Sequence, residues 1–198
     1  LEAGYRHIDG AAGYNNEAGV GRALNNAGFT EGEQRKNCGL RRNCAIPSRG
    51  MTAHARRSTA SLACCSSIMS TCTCCIGPPR STGVPVKRGR RSRNSARGAR
   101  AHAGVCNFLP EHLDRLHEET GEYPAVNQIE LHPTWQQREV VDYCKAHGIA
   151  VEAYSPMARG ADLNAGNGAI ERIAAEHGVT PAQVILRWHI ENGTIIIP

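Results

Sequence analysis

Acidic and aromatic residues are missing from a long internal stretch of this 198-residue chain. No Asp or Glu occurs from Gln34 to Pro110, and no Phe, Trp or Tyr occurs from Thr30 to Asn107. Without large apolar side chains, such a stretch buries too little surface to offset the conformational entropy lost on folding. We therefore expect residues 33–100 to be irregular and unable to fold alone.

The same stretch is strongly basic and rich in cysteine. Residues 34–100 hold thirteen arginines and two lysines, a formal charge of +15, whereas the whole chain carries +5. Seven of the nine cysteines also lie there. The chain has no apolar run long enough for a membrane span and no signal-like segment at its start. Because it begins at Leu1 rather than Met and stops within a predicted strand, we expect it to be a fragment.

The two flanks alternate predicted strands and helices. The strands are YRHIDGAA, AGVCNF, PAVNQIEL, IAVEAYS and TIII, and the helices are NEAGVGRALNNAG, PEHLDRLHEET, QQREVVDYCKAHG, AIERIAAEHG and TPAQVILRWHIENG. Pro110 suits the first turn of its helix, Gly28 and Gly148 suit helix ends, and Thr180 with Gln183 predicts a capping box. Nearly all-apolar strands in this order predict an α/β fold with a parallel sheet covered by helices.

Polar residues follow the apolar part of these strands at their C-terminal ends. They are Asp9, Asn107, Gln128, Tyr154 and Ser155. A (β/α)8 barrel builds its active site at that end of its strands. An open doubly wound sheet is the alternative, but no G-x-G-x-x-G follows any strand, which weakens a Rossmann-type prediction.

The stretch GYRHIDGAAGYNNEAGVG, residues 4–21, resembles the signature of the aldo-keto reductase family. It has Arg6, Asp9, Tyr14, Glu17 and Gly21 at the family's spacing. GVCNF, PAVNQIELHP, VEAYSPM and AQVILRWHIENGTIIIP are similar to later family blocks in the same order, closest to the bacterial 2,5-diketo-D-gluconate reductase-like group. The resemblance implies one incomplete (β/α)8 barrel domain over residues 1–198, family-like at 1–32 and 101–198 and atypical at 33–100.

The resemblance also implies an activity, the NADPH-dependent reduction of an aldehyde or ketone by hydride transfer, with NADH left open and no metal. Tyr14 would be the general acid, and Asp9 would hold charged a lysine that lowers the tyrosine pKa from about 10. Asn107 and Gln128 would hold the nicotinamide carboxamide beside Cys106, which replaces the usual family Ser. Tyr154 would stack on the nicotinamide ring, and Ser155 would meet the pyrophosphate.

The family's lysine and its active-site histidine are expected between residues 30 and 100, where neither motif occurs. A change of reading frame explains this. Read from the third base of Cys74, the codons of CCIGP permit Leu-His-Trp-Pro, and the same offset at RKNCGLRRNCA permits Thr-Thr-Lys-Leu. The lysine would span codons 42 and 43 and the histidine codons 75 and 76, at the family's separation. We infer that residues from about 33 to about 100 are out-of-frame text between two compensating frame errors.

Other functions of the middle segment were weighed. A zinc site lacks a second set of Cys and His at zinc-finger spacing, and a disulfide framework needs an oxidising compartment that the enzyme-like flanks do not suggest. KRGRRSRNSARGAR, residues 87–100, could bind nucleic acid phosphates, but it lacks aromatic residues for base stacking. The alternative to an impaired reductase is thus a non-catalytic remnant with a basic segment.

We expect a cytoplasmic monomer acting on a small carbonyl compound, with no membrane partner.

Overall fold

The computed structural model describes residues 2–5, 7–11, 14, 16–28, 39–43, 74–75, 104–164 and 168–198. The chain divides into two compact units. The described elements up to residue 75 belong to the first unit, and those from residue 104 onward belong to the second. Both units are built on parallel strands, as the sequence predicts.

The first unit contains a three-stranded parallel sheet in the order β1-β2-β3. Its elements are β1 His7–Ala11, α1 Glu17–Asn26, β2 Gly39–Asn43 and β3 Cys74–Cys75. The predicted strand and helix of the N-terminal flank are therefore confirmed. Leu24 of α1 is fully buried, and Gly28, just beyond the helix, has a positive φ of 76°, which a side chain would disfavour.

Two strands lie inside the segment that we expected to be irregular. That expectation is wrong at β2 and β3, where Gly39–Asn43 pairs in parallel with β1 and Cys74–Cys75 pairs in parallel with β2. The physical reason is that a ladder is made by backbone N–H and C=O groups, so a strand can pair without an alternating apolar pattern. β2 includes position 42, where the shifted frame would encode the family's lysine. β3 ends at position 75, where the shifted frame would encode the family's histidine. The rest of residues 33–100, with the stretch at 87–100, lies outside the described residues.

The second unit contains a four-stranded parallel sheet in the order β4-β5-β6-β7. Its strands are β4 Gly104–Cys106, β5 Val126–Glu130, β6 Ala150–Tyr154 and β7 Ile195–Ile197. Its helices are α2 Pro110–Thr120, α3 Arg138–Ala146, α4 Ala169–His177 and α5 Pro181–Glu191, and a 3₁₀ segment spans Ala158–Asn164. Every predicted strand and helix of the C-terminal flank is confirmed, whereas the 3₁₀ segment was not predicted.

Local capping explains where the two best-predicted helices begin. In α5 the Thr180 N–H donates to Gln183 Oε1 at 2.8 Å, and the Gln183 N–H donates to Thr180 Oγ1 at 3.3 Å. This reciprocal pair satisfies two of the donors that a helix start leaves without partners. In α2, with Pro110 at its first turn, the Leu109 N–H donates to His112 Nδ1 at 3.1 Å.

One face of the second sheet packs against α2 and α3. The buried side chains between them are Val105, Phe108, Leu113, Ile129, Leu131, Val140, Val141, Cys144, Ile149, Val151 and Ala153. Cys144 is fully buried and is therefore a core thiol. Since strand side chains alternate, Cys106, Gln128, Glu130, Glu152 and Tyr154 project from the opposite face. None of the described helices is both long and apolar enough to cross a membrane.

Candidate active site

A row of polar side chains lies at the carboxyl edge of the four-stranded sheet. Cys106 at the end of β4 is in register with Gln128 of β5, and Glu130 of β5 is in register with Tyr154 at the end of β6. Residues in register on parallel strands point to the same face, so these four side chains share the face away from the helix core. The fold thus gathers residues that are far apart in the sequence.

Asn107 connects the members of this row. Its backbone N–H donates to the Gln128 carbonyl at 2.8 Å, which extends the ladder one step beyond β4. Its side-chain Nδ2 donates to Cys106 Sγ at 3.6 Å, while its Oδ1 accepts from the Tyr154 hydroxyl at 3.3 Å. The residue has a φ of 56°, and Asn tolerates this left-handed conformation better than most residues.

A buried amide fixes the turn that carries Asn107. Asn127 projects from β5 into the helix-covered face, where its Nδ2 donates to the Phe108 carbonyl at 2.9 Å and its Oδ1 accepts from the Phe108 N–H at 3.3 Å. Both backbone groups of Phe108 are therefore satisfied by one fully buried side chain. The turn after β4 is consequently held in place from behind the sheet.

Cys106 and Gln128 form the inner part of the site. The Cys106 thiol donates to Gln128 Oε1 at 3.5 Å, a distance suited to a sulfur donor. Gln128 is only 2% exposed, whereas Cys106 is half-buried and Asn107 is exposed. The buried amide is thereby fixed beside a more accessible thiol and a second amide.

Tyr154 closes the site on the side of β6. Burial raises the pKa of its half-buried hydroxyl, and the nearby carboxylate of Glu130 raises it further. Both effects disfavour the phenolate. The ring therefore stays neutral at physiological pH and offers a flat, uncharged face next to the two amides.

Ser155 continues the chain from Tyr154 with a φ of 49°, and its carbonyl accepts from the Ala158 N–H at 2.9 Å. The structure thus brings Cys106, Asn107, Gln128 and Tyr154 into one hydrogen-bonded cluster, with Ser155 next to it in sequence. Asp9 and Tyr14 belong to the first unit, at β1 and three residues after it. Asp9 is half-buried and in register with Arg41 of β2, and Tyr14 is 65% exposed.

Sequence reasoning missed a second polar cluster in this unit. His132 and Asp162, each more than nine-tenths buried, lie with their Nδ1 and Oδ2 atoms 3.0 Å apart. No pattern in the sequence links His132 to an aspartate thirty positions later. Among the described residues, no group of three or more His, Cys, Asp and Glu side chains could hold a metal ion.

Comparison with known proteins identifies the family. A profile of the aldo/keto reductase family matches residues 95–198. An aldo-keto reductase of Mycolicibacterium smegmatis is 40% identical, with 100% of this chain and 70% of that protein covered. Methylglyoxal reductase DkgA of Escherichia coli K12 is 36% identical over the same shares of the two chains. The match to DkgA confirms the predicted similarity to the 2,5-diketo-D-gluconate reductase-like group.

Solved structures give the same result. An aldo/keto reductase from Brucella melitensis superposes with a TM-score of 0.81 at 35% identity, covering 100% of this chain and 73% of that one. A mutant of Gox0644 in complex with NADPH superposes with a TM-score of 0.79 at 32% identity, covering 100% and 69%. The chain belongs to the aldo/keto reductase family, and the predicted (β/α)8 barrel class is confirmed by these similarities.

Proposed function

We propose that this protein is an NADPH-dependent carbonyl reductase whose cluster of Cys106, Asn107, Gln128 and Tyr154 holds the nicotinamide. The observation that carries the proposal is the convergence of these four side chains through hydrogen bonds at the carboxyl edge of a parallel sheet. Family membership supports the reaction class, and the NADPH complex of a similar structure supports the cofactor. We further propose that both units belong to one reductase domain over residues 1–198.

The residues of the cluster fit the chemistry of a carboxamide. A carboxamide has both N–H donors and a carbonyl acceptor, and the side-chain amides of Asn107 and Gln128 can complement both. Gln128 is buried and fixed, so little ordering remains to be done when a ligand arrives. The neutral ring of Tyr154 suits stacking on a flat heterocycle, and Ser155, with its hydroxyl at the start of the following segment, is proposed to meet the pyrophosphate.

The proton transfer is assigned to the first unit. NADPH, when bound, supplies the hydride. Tyr14 donates a proton to the carbonyl oxygen of the substrate, and the role of Asp9 is to hold charged the family's lysine beside that tyrosine. A tyrosine with its ordinary pKa near 10 is a poor acid at neutral pH, and lowering that pKa by three units is worth roughly 4 kcal/mol. Because the family's lysine is missing from the written sequence, we propose that turnover by this chain is strongly impaired.

The substrate class follows from the relatives only in broad terms. DkgA is named a methylglyoxal reductase, so a small dicarbonyl compound is a reasonable first substrate to assay. Keto-sugars are the second class, since the chain is similar to the diketogluconate-reductase-like group. We propose a small aldehyde or ketone as the substrate, and NADPH rather than NADH as the electron donor.

Cofactor binding is the first test. NADPH titrations followed by fluorescence should show saturable binding to the chain as written, and Gln128→Ala should weaken it by about tenfold or more, since it removes a buried amide. Gln183→Ala is the matched control, because Gln183 lies at the start of α5 and outside the cluster. Binding that is unaffected by Gln128→Ala would overturn the assignment of the cluster.

The acid is tested by a matched pair of tyrosines. Tyr14→Phe should abolish the remaining oxidation of NADPH by methylglyoxal while leaving the NADPH dissociation constant unchanged. Tyr5→Phe removes the hydroxyl of another exposed tyrosine of the same unit and should leave both quantities unchanged. Equal rates in the Tyr14→Phe variant and the parent chain would contradict the role of Tyr14.

The reading-frame hypothesis separates an impaired enzyme from a remnant. Resequencing the coding DNA across codons 30–104 should reveal one base gained or lost near codon 33 and a compensating change near codon 100. The protein from the corrected frame should then reduce carbonyls much faster than the chain as written. If the bases stand as translated, the chain is a reductase remnant, and a salt-titrated binding assay with the peptide 87–100 tests the nucleic-acid alternative.

A further inference from the structure

The segment that follows β6 has an unusual backbone. Four of its residues have positive φ values. Ser155 and Ala158 each have a φ of 49°, Arg159 has a φ of 55°, and Gly160 has a φ of 93°. Left-handed backbone is unfavourable for residues with a side chain, and it persists only where the surroundings hold it. The segment therefore needs contacts from outside itself to keep this conformation.

The first of these contacts is made by Asp162. Its carboxylate is almost completely buried, and it accepts from the Thr134 N–H at 3.3 Å and from the Thr134 hydroxyl at 2.5 Å. His132 Nδ1 lies 3.0 Å from the Asp162 Oδ2 atom and completes the set. Because a buried carboxylate is costly unless it is paired and hydrogen-bonded, these partners specify one position for Asp162.

The second contact is made by His189 of α5. Its Nε2 lies 3.1 Å from the Pro156 carbonyl oxygen, so this nitrogen carries the proton and donates. The imidazole is fully buried, and its Nδ1 has no hydrogen-bond partner among the described residues. Burial lowers the pKa of His189, which keeps the ring neutral with its one proton on the side of Pro156.

Together the two contacts fasten both ends of one short segment. His189 holds it one residue after Ser155, and Asp162 holds it six residues later, against the loop between β5 and α3. Neither group belongs to the cluster of Cys106, Asn107, Gln128 and Tyr154. Their common effect is to set the direction in which the chain leaves Tyr154 and Ser155.

We propose that Asp162, held by His132 and Thr134, is a positioning residue for NADPH that keeps the segment 155–162 in its binding-competent conformation before the cofactor arrives. This inference rests on the proposed function, because it assigns Asp162 an indirect role through Ser155. Where only a fraction of molecules has the competent conformation, the apparent dissociation constant rises in inverse proportion to that fraction. Loss of the Asp162 contacts should therefore weaken cofactor binding without removing any group that touches the cofactor.

The test compares Asp162→Ala, Asp162→Asn and Thr134→Val in the full chain. NADPH affinity is measured by fluorescence, and amide hydrogen exchange is measured in the absence of cofactor. Asp162→Ala should weaken NADPH binding by about tenfold or more and should raise exchange in residues 155–164 while β4 to β6 stay protected. Asp162→Asn still accepts a hydrogen bond from Thr134, so it should recover part of the NADPH affinity. The NADPH affinity of Thr134→Val should lie between those of the parent chain and Asp162→Ala.

Two controls separate positioning from general stability. Val140→Ala truncates a buried helix residue far along the sequence from the segment, so it should lower the melting temperature and leave NADPH affinity unchanged. Asp142→Ala removes an exposed aspartate and should change neither quantity. If Val140→Ala weakens NADPH binding as much as Asp162→Ala does, the effect is one of stability and the proposal fails.

The outcomes also separate this inference from the function on which it rests. A parent chain that binds no NADPH overturns both. A parent chain that binds NADPH, with Asp162→Ala binding it equally well, overturns the positioning role and leaves the proposed function standing. Weaker NADPH binding by Asp162→Ala, together with a rise in amide hydrogen exchange that is confined to residues 155–164, supports the positioning role.

Discussion

The Tyr154 hydroxyl donates a hydrogen bond to Asn107 Oδ1 at 3.3 Å, across forty-seven positions of the sequence. Tyr154 ends β6 and Asn107 follows β4, so the bond passes over β5 and joins the two outer members of the candidate nicotinamide site. It fixes the position of the tyrosine hydroxyl relative to the amide.

Tyr154→Phe keeps the ring and removes only the hydrogen bond, so it should weaken NADPH binding by about 2–10-fold, as expected for one neutral hydrogen bond. Asn107→Gly removes the amide but keeps a residue that tolerates the positive φ, and it should weaken binding more. In a double-mutant cycle the two losses should not add, because the variants share one interaction. Additive losses would show that the bond makes no contribution to the site.

Cys106 tests how well a thiol replaces the serine that the family usually has at this position. Cys106→Ser retains one donor and acceptor capacity, so it should bind NADPH as well as the parent chain or a few-fold better, since a hydroxyl is the stronger donor. Cys106→Ala removes the donor to Gln128 and should bind more weakly. Val141→Ala is the control: it truncates a buried side chain of α3, so it should lower stability and leave affinity unchanged.

Much of this fold could be predicted from the sequence because its signals are local. The bounds of α2 follow from Pro110 at its first turn and a left-handed glycine after its last residue, and those of α5 follow from the capping box of Thr180 and Gln183. The strand ends followed from apolar runs that stop at a polar residue. The residues of the proposed cofactor site follow from family resemblance, since no local pattern assigns a role to Asn107 or Gln128.

The features that sequence reasoning missed depend on contacts between distant residues. Ala158 and Arg159 have positive φ values that their residue types do not predict, and they are held by Asp162 and His189 through partners elsewhere in the chain. Strand β2 was missed for a related reason. Its sequence, GLRRN, has no alternating apolar pattern, and its register is set by backbone pairing with β1.

Acid should destabilise the second unit through His189. Because the pKa of the buried imidazole is lowered from 6.5, the unfolded chain binds a proton at a higher pH than the folded chain does. Stability from this group is therefore fully present above pH 6.5 and is lost as pH falls through the folded-state pKa. His189→Gln can still donate a hydrogen bond to the Pro156 carbonyl. It should reduce the decline of the melting temperature below pH 6.5. An unchanged slope would show that other groups control acid unfolding.

Alkali should destabilise the same unit through groups whose pKa is raised. Burial raises the pKa of the Cys144 thiol from 9.0, and burial with the nearby Glu130 raises that of Tyr154 from 10.0. Burial and the hydrogen bond to Asp114 also raise the pKa of Tyr143. The folded chain therefore keeps protons that the unfolded chain releases, so stability is full below about pH 9 and falls as pH rises further. Cys144→Ala should reduce the earliest part of that decline, as measured by urea unfolding at a series of pH values.

Two glycines should respond to the same substitution with opposite signs. Gly121 ends α2 with a φ of 77° and has no atom within 4 Å of an added Cβ, so Gly121→Ala is penalised by backbone conformation alone, at about 1 kcal/mol. Gly121→Asn should cost less, because Asn tolerates left-handed backbone.

Gly19 lies inside α1, where an added Cβ would meet only the Arg22 side chain at 3.9 Å, an ordinary contact distance. Gly19→Ala should therefore stabilise the first unit by about 0.5–1 kcal/mol, because alanine has less conformational freedom to lose on folding. Urea unfolding of both variants, with no change in the denaturant slope, measures the two effects. Destabilisation by Gly19→Ala would show that position 19 does not lie in a helix interior and would contradict the assignment of α1.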